Sequence, residues 1–123
     1  MHILLADDYV PVMGLVAAAL DYDPDLQFDT ATSGRELLRK FTGDRFDLIV
    51  LNLRLRETDG IECLSVIRRL NPGQKLLVLT EQIDHEAAAD LRSIGIRSGS
   101  VMLRTDDRGT LSQRIGAALR AET

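Results

Sequence analysis

One cysteine in the whole chain, Cys63, excludes an internal disulfide and any metal site built from several thiolates. Long apolar runs are missing too. None reaches the roughly 20 residues of a membrane-spanning helix, and no signal-peptide pattern precedes the first apolar segment. The expectation is a cytoplasmic protein that makes no membrane contact. Basic excess is absent: the formal net charge is -4 and the pI about 5.1, which argues against nucleic-acid binding by this domain itself. There are no repeats and no low-complexity tracts, and the three prolines and nine glycines are scattered, so no linker divides the chain. What is present is an ordinary globular composition, 45% hydrophobic and 28% charged over 123 residues. That length suits a single domain spanning residues 1–123, with one real core.

Along the chain, apolar runs alternate with helical patterns. Ile3-Leu4-Leu5-Ala6 ends at Asp7-Asp8. Apolar spacing from Pro11 to Leu20 predicts a helix, and Pro11 suits its first turn. Leu26 to Ala31 alternates like an edge or half-exposed strand. Ser33-Gly34-Arg35-Glu36 reads as a capping box opening a helix that runs to about Thr42. Asp47 to Leu51 predicts a buried strand and Ile61 to Leu70 a helix, stopped by Asn71-Pro72-Gly73. Lys75 to Leu79, Asp84 to Ile94, Ser100 to Leu103 and Asp107 to Ala121 complete the pattern as strand, helix, strand and helix. Five strand–helix units with continuous apolar strands imply an α/β fold: a parallel sheet covered on both faces.

In such sheets, chemistry gathers beyond the carboxyl ends of the strands. Asp7 and Asp8 follow the first strand, Asn52 the third, Thr80 the fourth and Arg104 the fifth. Each residue alone has a plain structural reading. The aspartates suit a helix N-cap, Thr80 suits a strand end, and Arg104 suits a solvated surface. Each also has a chemical reading: the carboxylates for a hard cation such as Mg²⁺, Thr80 for a phosphoryl oxygen, and Arg104 for an anion. An amide at position 52 reads as a turn residue, a ligand contact, or an inert replacement for a reactive group. His2 and His85 are isolated and suit surface or strand-start roles. Cys63 suits packing as a small hydrophobe in an amphipathic helix.

Together ILLADDYVPV, DLIVLNLRLRETDGIE, LLVLT and VMLRTDD make the chain resemble the response-regulator receiver domain of bacterial two-component signalling. The resemblance implies a flavodoxin-like (βα)5 three-layer sandwich with strand order 2-1-3-4-5. It implies a non-enzymatic signalling module whose third strand ends in an aspartyl phosphoacceptor. It also implies Mg²⁺ held by that aspartate, by the acidic pair (here Asp7 and Asp8), and by the backbone carbonyl of Arg54. Thr80 matches the threonine that bonds the acyl phosphate.

Other positions depart from the pattern. Asn52 stands at the phosphoacceptor, Arg104 at the lysine, Val101 at the switch aromatic and Arg56 at the usual proline. A count forward from Gly95 without a gap puts Met102, not Arg104, at the lysine position. The expectation is a pseudo-receiver that binds Mg²⁺ weakly or not at all and acts through a protein partner: a histidine kinase, an output domain or another signalling protein. A residual apolar face on the first, fourth or last helix is a candidate homodimer surface. The alternative is an ordinary phosphoacceptor receiver inactivated by an Asp-to-Asn change at position 52. A small ligand-binding flavodoxin-like domain ranks below both, because no glycine- or hydroxyl-rich phosphate loop follows the first strand.

Overall fold

The computed structural model describes residues 2–7, 25, 27–55, 58–81, 84–97, 100–103 and 108–120. In chain order the elements are β1 (His2–Ala6), β2 (Gln27–Ala31), α1 (Gly34–Gly43), β3 (Leu48–Asn52), β4 (Arg54–Leu55) and β5 (Thr58–Asp59). They continue with α2 (Gly60–Leu70), β6 (Leu76–Thr80), α3 (His85–Ser93), β7 (Val101–Leu103) and α4 (Arg108–Arg120). The helix expected over Pro11–Leu20 lies outside the described residues.

Five strands form one parallel sheet in the order β2-β1-β3-β6-β7. Counted within the sheet, that is the expected 2-1-3-4-5 order of a flavodoxin-like fold. The strands alternate their side chains between two cores. Ile3, Leu5, Leu48, Val50, Leu77, Leu79 and Met102 pack on one face with Ile115 of α4. Leu4, Ala6, Ile49, Leu51, Leu76 and Val78 pack on the other with Leu37 of α1, Leu64 and Ile67 of α2, and Leu91 of α3. Burial of both faces is why the strands read as continuous apolar runs. Each large side chain fully withdrawn from water contributes roughly 1.5–3 kcal/mol. Cys63 is 1% exposed within the second of these cores, as a small hydrophobe.

Local chemistry sets the element ends. The Glu36 N–H donates to Ser33 Oγ at 3.1 Å, and the Ala87 N–H donates to Asp84 Oδ1 at 2.7 Å, capping α1 and α3. The carboxylate of Glu36 faces Lys40 at 3.6 Å, one turn along α1. After α2, Asn71 Oδ1 accepts from the Gly73 N–H, and Arg68 Nη1 donates to the carbonyls of Pro72 and Gln74. His2 has a structural role. Its backbone exchanges hydrogen bonds with Asp47, and its ring lies 4.4 Å from that of Phe46.

The sheet edges are blunted by cations. On β2, the Thr30 N–H donates to Asp29 Oδ1 at 2.8 Å, and Lys40 Nζ donates to the Thr30 carbonyl at 2.6 Å. On β7, Arg114 Nη1 donates to the Val101 carbonyl at 3.1 Å. An unsatisfied edge group is a template for another strand, and these side chains occupy such groups. The β4–β5 hairpin was not expected from the sequence. It leads into Gly60, whose N–H donates to the Leu53 carbonyl at 3.0 Å. A Cβ at residue 60 would stand 2.7 Å from Leu53 Cα and 2.8 Å from its carbonyl carbon.

Two predictions follow from these contacts. Gly60→Ala meets rigid backbone, so it is expected to destabilise the fold by roughly 1–3 kcal/mol, read as a lower midpoint in urea unfolding; an unchanged midpoint would refute the clash. The second concerns pH. The Lys40 hydrogen bond, the largest influence, holds the Asp29 carboxyl below its ordinary range. A lowered carboxylate stabilises above its unfolded pKa, and that stability is lost as pH falls through the folded value. Asp29 is 39% exposed, so screening limits the contribution to under about 1 kcal/mol. Asp29→Asn is therefore expected to lower Tm by a few degrees at pH 7, roughly 2–4 °C, and by much less at pH 3. Equal losses at both values would rule the ion pair out as the cause.

Candidate functional site

Strands β1, β3 and β6 end side by side, and their ends bring three buried polar side chains together. Asp7 is 0%, Asn52 2% and Thr80 7% exposed. Asp7 is the first residue beyond β1, and its N–H extends the ladder by donating to the Ala31 carbonyl at 3.0 Å. Ala6 pairs with Leu51 across the β1–β3 ladder, so the next residues on each strand, Asp7 and Asn52, are neighbours. Asn52 Nδ2 donates to Asp7 Oδ1 at 3.1 Å. The amide orientation follows from chemistry: opposite a carboxylate, only the NH2 group has hydrogen to donate.

The sequence put two strand ends one residue too early. Asn52 is the last residue of β3 and pairs with Leu79, and Thr80 is the last residue of β6. The Leu53 N–H donates to the Leu79 carbonyl at 3.1 Å, so the ladder runs past the asparagine. Asn52 is thus a strand residue and not a turn residue.

Met102 is 1% exposed in the core beside Leu79, its pairing partner. Leu103, the last residue of β7, pairs with Thr80. Arg104, Asp8 and Arg56 lie outside the described residues. Val101, expected at the switch-aromatic position, is partly buried against the core that holds Leu91 and Ile96. The Arg54 backbone pairs with Asp59 in the hairpin. That hairpin and Gly60 are what the sequence reading missed. The Asp59-Gly60 dipeptide was the available signal, since such pairs mark turns.

Electrostatically, a carboxylate with no exposure is costly unless donors compensate it. Asn52 supplies one. An aspartate in its place would instead set two carboxylates about 3 Å apart, an arrangement that needs a proton or a cation. Asp7 Oδ1 already accepts from an amide, and among the described residues no three His, Cys, Asp or Glu side chains gather as ligands. Among the described residues, no helix is long and apolar enough to cross a membrane.

Comparison with known proteins agrees with this architecture. The profile of the response regulator receiver domain matches residues 3–99. The transcriptional regulatory protein LiaR of Bacillus subtilis is 30% identical over 123 residues, which is 99% of this chain and 57% of that protein. GlrR of Escherichia coli, also a transcriptional regulatory protein, is 30% identical over 118 residues, 96% of this chain and 26% of that protein. A protein-glutamate methylesterase/protein-glutamine glutaminase of a Nocardioides species is 27% identical over 92% of this chain and 31% of its own length. This chain therefore spans between about a quarter and just over half of these relatives. Among solved structures, a CheY-like receiver domain protein of Methanospirillum hungatei superposes with a TM-score of 0.86 at 21% identity, covering 96% of this chain and 92% of that one. The CheX–CheY–BeF3–Mg complex of Borrelia burgdorferi gives 0.86 at 20% identity, covering 98% of this chain and 90% of that chain. Sheet order, the buried aspartate beyond the first strand and a profile match over most of the length converge, and the chain belongs to the response regulator receiver domain family.

Proposed function

We propose that this receiver domain is a pseudo-receiver, a signalling module that acts through protein–protein contact and not through aspartyl phosphorylation. The observation behind the reading is the Asn52 carboxamide at the end of β3, donating to buried Asp7. Phosphoryl transfer to a receiver needs a carboxylate nucleophile. A carboxamide oxygen is a weaker nucleophile, and its O-phosphorylated product is not stable. Val101 and Arg104 favour the same reading. A β-branched side chain is stiff about χ1 and makes a poor rotamer switch. An arginine, unlike a lysine, can grip a carboxylate with two parallel bonds.

In this reading Arg104 serves the Asp7–Asp8 pair as an internal cation. Any Mg²⁺ held by Asp7, Asp8 and the Arg54 carbonyl is weak or vestigial. The module is a single non-enzymatic, cytoplasmic unit over residues 1–123. Its partner is a histidine kinase, an output domain or another signalling protein, or a second copy of the chain. Because it spans only part of relatives that are transcriptional regulatory proteins, an output domain in a longer parent is part of the proposal. The second reading, a phosphoacceptor receiver silenced by one Asp-to-Asn change, is favoured by the retained Asp7 and Thr80.

Acetyl phosphate, Mg²⁺ and intact-mass measurement test the first reading: no phosphate should be gained, and one base-labile phosphate would overturn it. Asn52→Asp under the same conditions separates the readings. Labelling of that variant supports the silenced phosphoacceptor, whereas no labelling means that the whole site has diverged. Asn52→Asp is also expected to lose stability at neutral pH without divalent cations, by roughly 1–3 kcal/mol, because two buried carboxylates then face each other. Acidification or millimolar Mg²⁺ should restore it in thermal melts. A variant as stable as the parent in chelator at pH 7 would contradict the electrostatic account.

A further inference from the structure

At the amino edge of the sheet, opposite the Asp7–Asn52 site, a cleft of about 580 Å³ opens between the start of β6 and the segments flanking α3 and β7. Three cationic residues, Arg68, Lys75 and Arg97, line it, and no acidic side chain does so among the described residues. This concentration of positive charge stands in a chain of net charge -4. Leu76 and Ile94 add apolar surface, and Ser100 adds a hydroxyl.

The plain explanation for such cations is compensation of helix C-terminal dipoles, which meet at this edge. It accounts for Arg68, which lies in the last turn of α2. It does not account for Arg97, between α3 and β7, which is not helical. Arg68 is also held in place. Its two hydrogen bonds, to the Pro72 and Gln74 carbonyls, come from Nη1, one nitrogen of a five-donor guanidinium. Its Nε lies 4.0 Å from where a Cβ on Gly95 would stand. Gly95 has a φ of +86°, a conformation that glycine adopts freely. The α2 end and the turn after α3 thus bring an anchored guanidinium to a wall with no side chain.

We propose that this cleft binds a phosphorylated organic anion of nucleotide size. The cations would meet the phosphates and the apolar surface would cover the organic part. The cleft volume lies within the range of small-molecule sites. The proposal stands on these residues alone and is independent of what Asn52 does.

The probes are ADP and inorganic phosphate, titrated by calorimetry into the full chain at low salt, with backbone amide shifts followed by NMR. ADP is expected to bind and to shift the amides of Gly95 and Ser100. The double variant Lys75→Ala/Arg97→Ala, with Arg68 kept because it holds the loop, is expected to weaken binding roughly tenfold or more, and Arg97→Ala alone to weaken it severalfold while melting like the parent. Absence of binding at millimolar ADP would overturn the proposal, as would affinity unchanged in the double variant or shifts centred on Asp7 and Asn52. Inorganic phosphate binding as tightly as ADP would overturn the organic part of it.

Discussion

A carboxylate with no solvent exposure must be held by donors, and Asp7 is such a group at the meeting point of the first three sheet strands in space. Its own N–H reaches β2 through the Ala31 carbonyl, and its Oδ1 is reached from β3 by Asn52. One residue therefore couples three strand ends. In a low-dielectric environment such a bond is stronger than in water, and an unmet group there is correspondingly costly. A neutral donor at position 52 meets one Asp7 oxygen, whereas a second carboxylate there would add a charge that needs a proton or a cation.

The sheet was legible in the sequence because strands buried on both faces have to be apolar throughout, as are the runs ending at Ala6, Leu51 and Leu79. The exact ends were less legible. A ladder bond such as that from the Leu53 N–H to the Leu79 carbonyl ignores side-chain polarity, so β3 includes an asparagine that looks like a terminator. The two-residue strands of the hairpin carry no periodicity to detect. Lys40 and Arg114 cap edge carbonyls 10 and 13 residues away in sequence, contacts that no local pattern announces.

The candidate site was legible as a set, and only through topology. Asp7, Asn52 and Thr80 come from three distant segments, and nothing in their immediate neighbours says that they meet. Alternation of strands and helices says it, because parallel strands must present all their carboxyl ends on one edge. The position after the last strand stayed ambiguous by counting alone, since extra residues precede it. Met102 is buried beside Leu79, a placement that its sequence neighbours do not announce.

The same topology orders charge across the molecule. With strands parallel and helices returning antiparallel to them, helix N-termini gather at the carboxyl edge and helix C-termini at the amino edge. Partial positive charge then favours acids such as Asp7 at the first edge, and partial negative charge favours bases such as Arg68 at the second. Dipole compensation predicts cations inside the last helical turns, spread over the edge. Lys75 and Arg97 stand outside those turns and share one concave surface with Arg68. Concavity matters because low-dielectric walls focus the field of the charges that line them. A convex edge carrying the same residues would only be a solvated basic patch. It is the shape, added to the charge, that makes the amino edge a candidate for a ligand.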